Sequence, residues 1–380
     1  MSEQAPMKCI SPSGTVHNSD KEILKGTKIM NIIEILKEAA AMNASDVFII
    51  TGAVLSYKVS GQLVQKNSDF LKPDMTADLV QQIFEVAKID RSITGDVKKE
   101  LDFSFSIAGV GRFRANIYRQ RGTYSAVLRF VPFDLPKAED LGIPQSVMDL
   151  ASCKNGIVLI TGSAGNGKST TLSCLIDHIN STRTGHIITI EDPIEFLHKH
   201  KKCIISQREI NIDTNSYLDA LRAVLRQSPD VILLGEMRDY ETINVAMTAA
   251  ETGQLVFSTL HTLGAANTID RIIDVFPTAQ QHQIRIQLSM VLKAVVSQQL
   301  LPSVDGKLVP AFEIMLMNSA IRTMIREEKT HQIDAVIQSS SGMETMDNCI
   351  VNMYRKGIIT AETAIEYAYN PELMEKRTQL

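Results

Sequence analysis

The chain has 380 residues, enough for two or three domains of roughly 150 residues each, and 44% of them are hydrophobic, ample for a sizeable core. With 20 Gly and 12 Pro it is neither collagen-like nor of low complexity, and a net charge of −4 sets up no global field toward nucleic acid or an anionic membrane. Aromatic residues make up 5% with no Trp, so the basic, aromatic-rich surface of a nucleic-acid binder is missing and no nucleic-acid partner is expected.

The first 28 residues carry no apolar block of the secretory kind. They read as a disordered extension, or as an upstream start before Met30. From Ile29 a helix is predicted, because Ile29, Ile32, Ile33, Leu36 and Ala40 recur at helical steps. Alternation at Val47 and Ile49, and again at Leu55, Tyr57 and Val59, predicts a two-stranded unit; a second helix is predicted over Thr76 to Lys88. Three more alternating runs follow, at Phe103, Phe105, Ile107, at Phe113, Ala115, Ile117 and at Ala126, Leu128, Phe130. Together these make a small α+β domain over residues 29–131. In the middle run the apolar residues alternate with Arg112, Arg114 and Asn116, which puts both arginines on the polar face of one strand. Pro132, Pro136 and Pro144 mark residues 132–146 as a linker.

Residues 147–380 have a different texture. Four short runs, GIVLIT at 156–161, HIITIE at 186–191, VILLGE at 231–236 and LVFSTL at 255–260, alternate with helical patterns. The last three are nearly continuously apolar, as strands covered on both faces are, and predict a mostly parallel, doubly wound α/β sheet. From about Thr278 to the end the chain reads helical, with no further buried strand. No stretch approaches the roughly 18 apolar residues of a membrane span. The five cysteines (Cys9, Cys153, Cys174, Cys203, Cys349) form no CxxC pair, so reduced cytosolic thiols are expected rather than a zinc ribbon or a disulfide framework.

GIVLIT runs straight into GSAGNGKST, where Gly162, Gly167, Lys168 and Ser169 fit the pattern G-x-x-x-x-G-K-[ST] around Ser163, Ala164, Gly165 and Asn166, with Thr170 following. Glycines let successive N–H groups turn inward around a phosphate, and the helix that starts at Lys168 adds its positive end. The lysine reaches the β and γ phosphates, and Ser169 offers a hydroxyl to Mg²⁺. A bound triphosphate also needs groups that set the metal and orient water, at the carboxyl ends of neighbouring strands. VILLGE delivers Glu236 there, and TIEDPIEF delivers Glu191, Asp192 and Glu195, one of which would orient water. LVFSTL ends at His261, where an imidazole could contact the γ phosphate. Read as structure alone, Glu236 would be the partner of nearby Arg238, His261 a half-buried imidazole, and HKHKK at 198–202 a solvated basic turn.

LRQSPDVILLGEMRD at 225–239 resembles the signature of the secretion ATPase superfamily, which powers type II secretion and type IV pili. TIEDPIEF, ISQREI, LDALRAVLR, TAAETG, STLHT and TIDRIIDVFP are similar to its twitching-motility retraction branch. AIRTMIRE at 320–327 is similar to that branch's AIRNLIRE motif, and HQIDAVIQ and GMETMD follow it. The likeness runs from Ile29 to Tyr369. SDVF at 45–48 resembles an accessory paralogue of the branch instead, and Asn244 stands where an arginine is common.

The resemblance implies a homohexameric ring of subunits, each a PAS-like α+β domain followed by a RecA-like P-loop ATPase domain that uses ATP and Mg²⁺. Carried over by motif, Gly162–Ser169 is the Walker A loop. Glu236 is the Walker B acid, holding Mg²⁺ through water beside Ser169. Glu195 is the catalytic glutamate, and His261 belongs to the histidine box. Arg114 and Arg129 match arginines offered to nucleotide; Arg121, from the residues alone, is a weaker third candidate. The implied work is pilus retraction at the inner face of the cytoplasmic membrane, with an inner-membrane pilus platform protein, the pilus machinery and a paralogous retraction ATPase as partners. The rivals are a pilus extension or type II secretion ATPase and an accessory retraction ATPase. The tetracysteine metal site of many assembly-type relatives is absent here, which favours retraction.

Overall fold

The computed structural model describes residues 30–59, 61–89, 100–131 and 135–379; the predicted extension over 1–28 lies outside them, as do Ile29 and Pro132. The chain divides into two units, one of residues up to Phe105 together with Ala115–Arg129, the other of Ser106–Arg114 together with Phe130 onward.

The N-terminal elements are α1 (Ile32–Ala41), β1 (Ala44–Ile49), β2 (Val54–Val59), β3 (Gln62–Phe70), α2 (Pro73–Val86), β4 (Glu100–Ile107), β5 (Gly111–Gln120) and β6 (Thr123–Val131). Helix α1 starts where the Asn31 side chain accepts the N–H groups of Ile33 and Glu34, and it buries Ile32, Ile35, Leu36 and Ala39. Helix α2 begins on Pro73, whose missing N–H costs nothing at a helix start. The strands form a six-stranded sheet in the order β3-β2-β1-β6-β5-β4, with β1 antiparallel to β2 and β6. With α1 and α2 this sheet makes the α+β, PAS-like part of the chain. Along β5, Phe113, Ala115 and Ile117 are fully buried, while Arg112 and Arg114 are half-buried on the other face. Strand β3 was not predicted. Its sequence, QLVQKNSDF, is polar and lies at the edge of the sheet, where backbone pairing to β2 needs no apolar alternation.

The second unit holds α3 (Gln145–Met148), β7 (Gly156–Thr161), α4 (Lys168–Thr182), β8 (Gly185–Glu191), β9 (Cys203–Glu209), α5 (Tyr217–Val224), β10 (Val231–Leu234), α6 (Tyr240–Glu251), β11 (Leu255–Leu260), α7 (Ala265–Asp274) and α8 (Thr278–Val291). It continues through β12 (Leu292–Pro302), β13 (Leu308–Leu316), α9 (Ser319–Arg326), α10 (Ile333–Ser339), α11 (Met346–Arg355), α12 (Ala361–Tyr367) and α13 (Pro371–Thr378). Seven strands pair in the order β13-β12-β7-β11-β10-β8-β9. All are parallel except β13, which runs antiparallel to β12. Apolar layers cover both faces: Ile157 and Leu159 join one core, Val158 and Ile160 the other. This is the mostly parallel, doubly wound sheet that the four apolar runs predicted, now seen as β7, β8, β10 and β11, and the RecA-like domain that the resemblance implied.

The reading of everything beyond Thr278 as helical is corrected by β12 and β13. Strand β12 carries Ser297, Gln298 and Gln299 in its middle, all buried. Ser297 and Gln298 are satisfied by residues far away in sequence, Thr161 and Thr171. Buried polar groups with tertiary partners break the apolar run that marks a central strand, so hydropathy alone could not find it. Strand β9 was also missed, because it sits at the sheet edge with Ile204 exposed. No helix among the described residues is long and apolar enough to cross a membrane.

Candidate active site

At the carboxyl ends of β7, β8, β10 and β11 lies a cavity of about 260 Å³. That end of a parallel sheet is where loops converge and ligands bind. Four of the predicted loop residues line it: Ala164, Gly165, Lys168 and Ser169. Gly162, Ser163, Asn166 and Gly167 shape the turn without lining the cavity, and Thr170 lies in α4, also outside the lining. Gly162 has φ 139°, and a Cβ there would sit 2.3 Å from the carbonyl oxygen of Gln298, so no side chain fits. Gly167, at φ 76°, precedes α4 and supplies no capping side chain. The first N–H groups of the helix and its partial positive charge are thus left to the loop, a cradle suited to phosphate.

Lys168 is buried, with its ammonium donating to the carbonyls of Gly162 at 2.7 Å and Ser163 at 2.9 Å. Burial pulls it below the usual lysine range, and Glu195 and Glu236 oppose that pull. Two polar contacts tie the loop and α4 to β12: the Thr171 hydroxyl donates to Gln298 Oε1 at 2.7 Å, and Asn166 Oδ1 accepts the Leu300 N–H at 3.4 Å.

Glu236 stands two residues past β10, whose pairing to β8 runs on through the Gly235 N–H donating to the Ile190 carbonyl at 2.8 Å. Its side chain is 12% exposed, between Arg238 at 2.5 Å and His261 Nε2 at 3.4 Å. His261 is exposed, and its Nδ1 is also 3.4 Å from the Lys168 ammonium. The half-buried Glu191 accepts the Thr189 hydroxyl at 2.6 Å and the Gln207 amide at 3.2 Å, and burial pushes its carboxyl up to about 7. Asp192 and Glu195 are exposed at the rim of the cavity. Glu191 is therefore a fixed, desolvated group, whereas Glu195 keeps an accessible carboxylate facing the same space.

Lysine, hydroxyl, four carboxylates and an imidazole thus line one cavity. The described residues hold no group of three His, Cys, Asp or Glu poised for a metal. Mg²⁺ keeps most of its waters and takes one or two protein ligands beside phosphate oxygens, and the Ser169 hydroxyl and Glu236 carboxylate are donors of that kind on the cavity wall. The arginines are placed elsewhere. Arg129 Nε donates to Asp46 at 3.1 Å, Arg114 lies on β5, and Arg121 sits in the turn between β5 and β6 at φ 49°. None of them lines this cavity.

Sequence reasoning missed Gln298, Ser297, Gln207 and Tyr217. Tyr217 lines the cavity, and its hydroxyl would lie 2.7 Å from a Cβ at Gly235. Each comes from a strand or helix remote in sequence, so no local spacing announces it.

The family model described as "Type II/IV secretion system protein" matches residues 24–366. The chain is 43% identical over 345 residues to the type IV pilus retraction ATPase PilT of Pseudomonas aeruginosa, covering 90% of this chain and 99% of the relative. It is 38% identical to the type IV pilus ATPase PilU of the same organism, covering 89% of each. Among solved structures, the pilus retraction motor PilT with bound ADP superposes at a TM-score of 0.84 with 45% identity, covering 91% of this chain and 99% of that one. With a match over nearly its whole length and these identities, the chain belongs to the type II/IV secretion system protein family.

Proposed function

We propose that this chain is the ATPase motor that drives type IV pilus retraction. The observation that carries the reading is the meeting of Lys168, Ser169, Glu236, Glu195 and His261 around one cavity, in a chain 43% identical to a pilus retraction ATPase over nearly the whole of both. The loop N–H groups and Lys168 grip the β and γ phosphates of ATP. Mg²⁺, when bound, would supply positive charge against the phosphates; Ser169 would offer it a hydroxyl and Glu236 would hold it through water. Glu195 accepts a proton from the attacking water as the water oxygen bonds to the γ phosphorus and the bond to the ADP oxygen breaks. His261, between Glu236 and Lys168, senses the loss of the γ phosphate. Arg114 and Arg129 stabilise phosphate charge within an assembled homohexamer, an effect worth about 10³–10⁵ in rate where arginines do this elsewhere.

The ring works at the cytoplasmic face of the membrane on an inner-membrane pilus platform protein. Mg²⁺-dependent phosphate release by the purified chain tests the enzyme. Deletion of the gene and a count of surface pili tests the direction of work: excess pili without twitching is expected, and bald cells would mean assembly. A second reading, an accessory retraction ATPase, is favoured by SDVF at 45–48 and by the likeness to PilU. It predicts loss of force in a deletion strain that still retracts pili with its main motor.

A further inference from the structure

One buried carboxyl in the second unit has no part in the scheme above. Glu313 on β13 is 2% exposed. One of its oxygens accepts the Ala265 N–H at 2.6 Å and the other the Met346 N–H at 3.5 Å, the first residues of α7 and α11. Helix α7 has no capping side chain of its own, since Gly264 precedes it. Directly opposite Glu313 in the β12–β13 ladder is Ser297. The Ser297 hydroxyl accepts the Gly264 N–H at 3.0 Å and lies 2.6 Å from the hydroxyl of Thr161, the residue before Gly162. The Tyr369 hydroxyl also bonds to it. Two consecutive N–H groups on the turn that leaves His261 are thus held by one cross-strand pair, and that pair is bonded to the strand that carries the phosphate loop.

A carboxylate this deeply buried is costly, and its site raises that cost. Burial, with Asp334 and Asp347 near it, pushes Glu313 up to about 7 against the two N–H bonds that favour its charged form. A helix start can be capped by a surface Ser or Asp at much lower cost.

We propose that Glu313, with Ser297 opposite it, is a positioning residue for ATP hydrolysis, fixing the His261–Gly264 turn against the phosphate loop and joining it to α11. The proposal rests on the ATPase reading. It acts through His261, whose place 3.4 Å from both Glu236 and Lys168 depends on where this turn is held.

The test uses the full chain with Glu313→Gln, which keeps the shape and one acceptor, and Ser297→Ala, which removes only the hydroxyl. Steady-state kinetics with Mg²⁺ and ATP should show kcat lower by about 10- to 100-fold, as expected when a catalytic group shifts by an ångström, with KM for ATP within about twofold. Hydrogen exchange without nucleotide should quicken at Gly264 and Ala265 while α4 keeps its protection. Unchanged kcat in both variants, beside an active wild type, would overturn the positioning role alone. So would unchanged exchange at Gly264 and Ala265 in both variants, whatever the activity. A wild type that releases no phosphate would overturn the ATPase reading, and the catalytic role of this pair with it.

Discussion

His261 bridges two elements of the cavity: its Nε2 stands 3.4 Å from Oε2 of Glu236 and its Nδ1 3.4 Å from the Lys168 ammonium. The turn after β10, the turn after β11 and the first residue of α4 therefore meet at one imidazole. Glu236→Ala removes one of the two groups that this imidazole faces. Phosphate release should fall by about 100-fold or more, while the chain still assembles and still takes up nucleotide through the loop. Turnover within a few-fold of wild type in a phosphate-release assay would dismiss the role.

Glu195 differs from Glu191 in being accessible at the rim of the cavity. Glu195→Gln keeps its size and removes the proton acceptor. A fluorescent ATP analogue should still bind with near-normal affinity while hydrolysis drops by orders of magnitude, about 10²–10⁴-fold for loss of a general base. Normal steady-state rates would refute it.

Lys168 is buried against its own loop, with two carbonyls as partners and two carboxylates acting on it. Lys168→Ala should weaken nucleotide affinity by about 10- to 100-fold, the span expected for a lost hydrogen bond to a charged group. Calorimetric titration with ADP checks this, because ADP separates binding from hydrolysis.

Gly162→Ala would push a Cβ to 2.3 Å from the Gln298 carbonyl at a φ of 139°. The backbone of β12 cannot move aside without breaking its pairing to β7, so the change should cost at least about 2 kcal/mol of stability. Urea denaturation of the isolated variant measures it. A loss within experimental error would mean that loop and strand are not in close contact.

Glu313 gives a pH signature. Its folded value, about 7, lies above the usual carboxylate range because of burial and the nearby Asp334 and Asp347, with Tyr369 also facing it. The folded chain therefore binds more protons at this group than the unfolded chain does between about pH 4.5 and 7. Its contribution to stability is complete below that window and is lost as pH rises through it. Denaturation midpoints of wild type should fall with rising pH across the window, and Glu313→Gln should flatten the fall. Parallel slopes in the two proteins would place the proton elsewhere.

The phosphate loop was legible because its chemistry is local. A strand, a glycine turn and a helix start must follow one another within a dozen residues, and Gly162, Gly167, Lys168 and Ser169 do. The four apolar strands were legible for a similar reason, since burial on both faces leaves a continuous apolar run. Strand β12 was not, because Ser297 and Gln298 are polar in sequence and satisfied only by Thr161 and Thr171 in space. The edge strands β3 and β9 were lost for the opposite reason, having solvent on one side and no pattern to enforce.

Residue order alone thus set the phosphate loop, the carboxylates that end neighbouring strands, and the family to which these motifs belong, because each is a short-range pattern of backbone geometry and side-chain type. Only the tertiary structure decided which carboxylate is desolvated and which stays open, and what braces the loop and the His261 turn. Those answers depend on burial and on hydrogen bonds between residues more than a hundred positions apart, as from Thr161 to Ser297, and no local pattern records them.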